Sequence, residues 1–299
     1  MPAFATVMMT SAVVFLQPNL AALRGIFEEG LTRRRAEYGV FDTRTAQAAR
    51  DLGLFLSRNG QTADARNVLD QVVRIDEKLF GANAPRTLAD VTELAAVSPA
   101  SQSEPLWKRA SETTDTSVAA RAFGELGKLR VIANDRAGAA VFYRKALAKD
   151  EEAGGKSSAA VALDLNALAK VVDTAEAVPL LERALAIDRQ SLGRQHAETA
   201  TTGANLAGLL ADTPRNEEAI RLANEALTVF RKTVGLDHAR TAIAASILGY
   251  AYEVKGDKRQ AEQMYRLALS IDGRVYGPQN PQTLNDARVL EEFLKNARR

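Results

Sequence analysis

The chain has two histidines, His196 and His238, 42 residues apart, and a histidine pair at a fixed interval raises the question of a metal ion. A zinc site gathers three or four nitrogen, sulfur or oxygen donors around the ion. The neighbours here, Arg194-Gln195 and Leu236-Asp237, supply no such cluster, and the absence of cysteine removes thiolates and disulfides. Gly154-Gly155-Lys156-Ser157 has the look of the end of a phosphate-binding loop. That loop needs a glycine five residues before Gly155, where this chain has Asp150, and a strand ahead of it where this chain reads as helix. Glu151-Glu152, Glu217-Glu218 and Glu291-Glu292 are adjacent acids. Neighbours on a helix point about 100° apart, so these cannot work together as acid and base. No Gly-x-Ser-x-Gly occurs. The reading is a chain without catalytic residues, cofactor or metal, and not an enzyme.

The information lies in the elements that carry these residues. Alanine and leucine dominate, aromatics are 6%, and strand-type alternation is missing, which predicts helices. Aligning the chain on Leu248 gives Leu52, Leu94, Leu126, Leu168, Leu206, Leu248 and Leu290, a column without exception. The next position reads Gly53, Ala95, Gly127, Ala169, Ala207 and Gly249, with Glu291 the one large residue. A small residue there lets a neighbouring helix come close. A second column, Gly30, Val72, Ala110, Ala146, Ala184, Ala226 and Ala268, repeats the device. The leucine spacings are 42, 32, 42, 38, 42 and 42. The shortened intervals place a short loop at Ser98-Pro99 to Ser103 and an irregularity near Thr113 to Thr116.

The links between units recur as well. Gly39, Gly81, Gly155, Gly193, Gly235 and Gly277 share one register position, where glycine can take the left-handed conformation that ends a helix. Asp42, His196, His238 and Asn280 come three residues later as helix caps, and Pro85 and Pro281 four later as first-turn prolines. Thr45, Thr87, Thr199, Thr241 and Thr283 fall six after the glycine.

The order of small and large residues in Leu248-Gly249, Tyr252, Gly256, Ala261, Tyr265 and Ala268 resembles the tetratricopeptide repeat, a helix-turn-helix unit that stacks into superhelices. Gly235-Leu236-Asp237-His238 and Tyr276-Gly277-Pro278-Gln279-Asn280-Pro281 resemble its 42-residue subtype, found in kinesin light chains and many bacterial proteins. The resemblance covers nearly all of residues 19–299. It implies an all-α fold, a right-handed α-solenoid (superhelix) of about six to seven helix-turn-helix units. Residues 281–297 would be a capping helix with Leu284, Leu290, Phe293 and Leu294 on one face. Ahead of the array, residues 1–18 hold an apolar, uncharged run from Phe4 to Leu16, too short to span a bilayer. It reads either as a helix covering the array's exposed end or as the hydrophobic part of a secretion signal, although no Lys or Arg precedes Arg24. The first reading implies a cytoplasmic protein, the second an exported one.

In proteins resembling this one, the first helices of successive units line a concave groove that takes a peptide. Carried over position by position, the groove candidates are Arg50, Asp51, Glu93, Glu125, Lys128, Asn166, Lys170, Asn205, Ser246 and Tyr250. Asparagines at such places bond a peptide backbone in related proteins, because an amide both donates and accepts. Only Asn166 and Asn205 are present here, and the Lys/Asn set with which some relatives grip a terminal carboxylate is missing. The implied function is a non-enzymatic scaffold for another protein or peptide segment. The alternative is a regulatory or sensor arm for a separately encoded enzyme. A formal charge of +2, with Lys and Arg interleaved among acids, argues against a nucleic-acid partner. Oligomeric state has no signature in the sequence.

Overall fold

The computed structural model describes residues 19–297. The readings of residues 1–18 lie outside it, as do Arg298 and Arg299. The described residues form fourteen α-helices and no strand, an all-α helical repeat solenoid in fold class. The chain divides into two compact units, one ending at Ala110 and one starting at Ser111. That boundary falls beside the irregularity expected near Thr113 to Thr116.

The first unit holds α1 (Leu20–Tyr38), α2 (Thr43–Arg58), α3 (Thr62–Phe80), α4 (Pro85–Ala96) and α5 (Ala100–Ala110). The second holds α6 (Thr116–Ile132), α7 (Arg136–Gly154), α8 (Ala159–Ala169), α9 (Thr174–Ser191), α10 (Ala197–Leu210), α11 (Asn216–Thr233), α12 (Ala239–Lys255), α13 (Lys258–Tyr276) and α14 (Pro281–Ala297). Helices pair as hairpins α2/α3 and α4/α5 in one unit and α6/α7, α8/α9, α10/α11 and α12/α13 in the other, each packed on its sequence neighbours within its own unit. The loop expected to reach Ser103 is shorter than that. Helix α5 begins at Ala100, and Ser103 is buried inside it.

All seven column leucines are buried, none more than 7% exposed. The glycines beside them are steric necessities. A Cβ on Gly53 would lie 2.8 Å from the Leu69 side chain, on Gly127 2.6 Å from Tyr143, and on Gly249 2.8 Å from Tyr265. The opposing column is as tight: Val72, Ala110, Ala146, Ala184, Ala226 and Ala268 are all buried. Helix faces that alternate small and large residues therefore interlock.

The links follow one chemical plan. All six link glycines have positive φ, from 78° at Gly155 to 95° at Gly81 and Gly235. At Gly39, Gly81, Gly155 and Gly277 ψ is extended, from 154° to 174°, not the left-handed helical value that the sequence suggests. That corner of conformational space is essentially closed to residues with a Cβ. Six residues on, the threonine hydroxyl donates back to the glycine carbonyl: Thr45 to Gly39 at 2.8 Å, Thr87 to Gly81 at 2.9 Å, Thr199 to Gly193 and Thr241 to Gly235 at 2.8 Å. Caps fall where expected. Asp42, His196, His238 and Asn280 accept from the backbone N–H of Arg44, Glu198, Arg240 and Gln282. Gly155 and Ser158, at the phosphate-loop look-alike, likewise end α7 and cap α8. In α14, Leu290 and Phe293 are buried, but Leu284 is 50% exposed and leaves the face the sequence assigns it to.

Candidate peptide-binding face

The ten candidate residues fall into three environments. Arg50 is turned inward: its guanidinium donates to both oxygens of Asp90, at 2.5 and 2.7 Å, and to Asp76 at 3.1 Å. Its side chain is only 16% exposed, so it holds α3 and α4 together rather than presenting itself to a ligand. Asp51 accepts from Gln47 at 2.8 Å, and Glu125 binds Lys128 at 2.6 Å, both at solvent-facing positions. Glu93 and Ser246 are half-buried, on α4 and α12. Tyr250 is exposed on α12 with its hydroxyl 3.5 Å from Asp212.

The third environment is a built one. Helices α8 and α10 belong to neighbouring hairpins, and side-chain bonds between them bring Asn166 and Asn205 together beside Lys170, although the three span forty residues of sequence. Asn205 Nδ2 donates to Asn166 Oδ1 at 3.3 Å, and Asn166 Nδ2 donates to the Thr202 hydroxyl at 2.8 Å and to the Ala162 carbonyl at 3.1 Å. Thr202 in turn donates to Asp188 Oδ2 at 2.6 Å. Burial pushes the Asp188 carboxyl above its ordinary pKa while the threonine hydroxyl pulls it back. The chain fixes which way each amide points. Asn205 keeps its carbonyl oxygen outside this chain.

Two depressions flank the amides, and Asn166, Lys170 and Asn205 line both. One, of about 290 Å³, adds Arg136, Thr174 and Leu209. Arg136 is anchored there, donating to the carbonyls of Lys170 and Val172 at 3.3 and 3.4 Å. The other, of about 310 Å³, adds Leu163, Leu192 and Thr201. Leu163 is 62% exposed, and Ile243, in the same register on α12, is 51% exposed. This is a surface of paired amides, two exposed cations, Arg136 and Lys170, and isolated apolar side chains. It can exchange backbone hydrogen bonds and receive side chains, the requirements of an extended polypeptide. Among the described residues, no group of three or more His, Asp or Glu is placed to hold a metal ion.

Sequence reasoning named Asn166, Lys170 and Asn205, which the structure brings together, but did not name Leu163 or Thr202 beside them. Leu163 carries a usable signal, an apolar residue at a position that reads Thr201 and Ile243 in the next units. Thr202 carries none, because its place between Asn166 and Asp188 depends on three different helices meeting.

Comparison with known proteins gives a consistent picture. The tetratricopeptide repeat is matched at residues 166–232 and 203–274, and by a second model of the same name at residues 45–86, together just over half of the chain. No curated protein sequence matches. Among solved structures, the Pyrococcus horikoshii signal transduction ATPase with numerous domains, which has a tetratricopeptide repeat sensor, is 17% identical with a TM-score of 0.66. The likeness covers 93% of this chain and 42% of that one. Pseudomonas aeruginosa pilF is also 17% identical, with a TM-score of 0.55 over 82% of this chain and 97% of that one. A putative kinesin light chain with nearly identical TPR-like repeats from Podosopora anserina is 19% identical, with a TM-score of 0.42 over 77% and 96% of the two chains. At these identities the likeness is one of fold. No helix among the described residues is long and apolar enough to cross a membrane.

Proposed function

Because this chain belongs to the tetratricopeptide repeat family, whose repeats serve as protein–protein interaction scaffolds, we propose that it holds an extended segment of another protein along the face formed by α8, α10 and α12. The observation that carries this reading is the bonded pair Asn166 and Asn205 between two depressions, with Lys170 lining both. A peptide laid there would meet amide groups already oriented, which reduces the ordering cost of binding. Leu163 and Ile243 supply apolar contacts further along. The scaffold performs no chemistry of its own, and its partner is a protein rather than a nucleic acid.

The test is affinity capture from a native lysate, comparing wild type with a variant in which Asn166, Lys170 and Asn205 are all alanine. The expected outcome is loss of the wild-type partners from a variant that remains helical. Recovery of the same partners at the same yield would overturn the assignment of this face.

A second reading is a sensor arm for a separately encoded enzyme. It draws on the Pyrococcus horikoshii protein, where a tetratricopeptide repeat sensor belongs to an ATPase. The likeness covers under half of that protein's length. Activity of a co-expressed neighbouring enzyme, measured with and without this chain, separates the two readings: only a sensor arm changes it.

A further inference from the structure

Five interfaces between a second helix and the next first helix share two register positions, fourteen residues apart, and fill them differently. The pairs are Asp76/Asp90, Asp150/Asp164, Asp188/Thr202, Phe230/Ala244 and Asp272/Asp286. A third position, two residues before the column leucine of the preceding first helix, reaches the pair in two of these interfaces. At Asp76/Asp90 it is Arg50, whose guanidinium binds both carboxylates, with Arg86 adding a bond to Asp76 at 2.8 Å. At Asp188/Thr202 it is Asn166, and the threonine hydroxyl satisfies the one acid.

At Asp272/Asp286 the third position is Ser246, and among the described residues no cation pairs with either acid. Asp272 is 2% exposed and Asp286 6%, and their carboxyls are hydrogen-bond neighbours across α13 and α14. Gln282 on α14 donates to Asp286 at 3.4 Å, while Asp272 Oδ1 and the buried Thr283 hydroxyl have no partner. The charges on the packed elements are engaged elsewhere. On α12, Arg240 binds Glu198, Lys255 binds Glu217, and Glu253 accepts from Tyr265. On α13, Arg274 binds Asp237, Arg266 binds Glu262, Lys258 bonds the Ala297 carbonyl, and Arg259 lies thirteen residues away, about 20 Å along the helix. On α14, Arg288 binds Glu292 and Lys295 binds Glu291.

We propose that Asp272 and Asp286 form a proton-held clasp: one proton shared between the two carboxyls keeps α14 docked on α13, and its loss toward neutral pH loosens the helix. Two adjacent buried carboxylates with no counter-charge repel each other, and each also pays for leaving water. A shared proton removes one charge and supplies the donor that the second acid accepts. Burial, and then the neighbouring Asp272, push the Asp286 carboxyl up to about 6. A pKa raised in the docked state means that the stabilisation is complete below the ordinary carboxylate range, about 4, and is lost as pH rises through about 6. What α14 covers gives the loss a structural consequence. Leu290 and Phe293 sit on Ala261 and Tyr265, so undocking uncovers an apolar face of α13. The Asp150/Asp164 pair, with Gly124 at its third position, has the same composition, but burial and Asp150 raise Asp164 to about 8, so its proton stays bound through the window in which α14 responds.

Hydrogen–deuterium exchange of the full chain between pH 4.5 and 7.5, corrected for intrinsic base catalysis with an unstructured peptide of residues 281–297, reads the docking directly. In wild type, corrected protection of α14 is expected to fall about twenty-five-fold across this range, the part of a two-unit pKa shift that lies above pH 4.5, while α10 keeps its protection and reports that the array is folded. Asp286→Asn, which supplies a donor without a titrating group, is expected to flatten the profile at high protection. Ser246→Arg, which places a guanidinium where Arg50 stands, is expected to flatten it by a different route. A flat wild-type profile, or a fall in either variant matching that of wild type, would overturn the proposal.

Discussion

Gly249 shows how much one missing carbon matters. The Tyr265 ring lies where a Cβ would stand, and that ring is 4% exposed, packed against Phe293 with 5.5 Å between centroids, and tied through its hydroxyl to Glu253 at 2.6 Å. It therefore cannot swing aside to make room. On propensity alone, glycine to alanine inside a helix gains about 1 kcal/mol. Overpacking a tight core costs about 1 to 3 kcal/mol, and here it wins. Gly249→Ala is expected to lower stability in urea unfolding by about 1 kcal/mol or more, whereas Gly208→Ala, whose added carbon would meet only Ile247 at 3.9 Å, is expected to raise it. Equal stabilisation by both would refute the steric account.

At the level of the helix and its links, the threonine–glycine bond closes four of the six glycine links between repeats. Thr241→Val removes the hydroxyl that donates to Gly235 and keeps the shape, so the expected cost is about 1 kcal/mol, that of one hydrogen bond. Val161 fills the equivalent place after Gly155 and is fully buried, so the fold tolerates the change. A thermal midpoint identical to wild type would show that water satisfies the glycine carbonyl instead. Devices of this kind were legible in the sequence because they act over a few residues: the link glycines, the caps at His196 and His238, and the small residues beside the column leucines all sit where spacing places them. Contacts between helices were not. Spacing puts Arg50 on a groove-facing position, yet two acids forty and twenty-six residues away draw it inward. Leu284 reads as core by hydrophobicity alone, but it turns to solvent beside buried Thr283. Of the candidate face, the sequence showed the two asparagines but not the bond between them, since that depends on how closely α8 and α10 approach.

Across a whole unit, contacts run almost entirely between neighbours: α10 meets α9 and α11 closely and α12 more lightly, and has no comparable contact with α13 or α14. Stability in such an array is a sum of hairpin terms and nearest-neighbour terms, so a lesion should be felt locally and fade along the chain. Leu206, 1% exposed on α10, is a suitable place to make one. Truncating it to alanine deletes buried methyl groups and leaves a cavity, at an expected cost of about 2 to 5 kcal/mol. Exchange protection in Leu206→Ala should therefore drop most in α9, α10 and α11, less in α12, and least in α13 and α14. A uniform drop from α6 to α14 would mean that the second unit opens as one cooperative body, and that neighbour-by-neighbour stacking does not describe how it holds together.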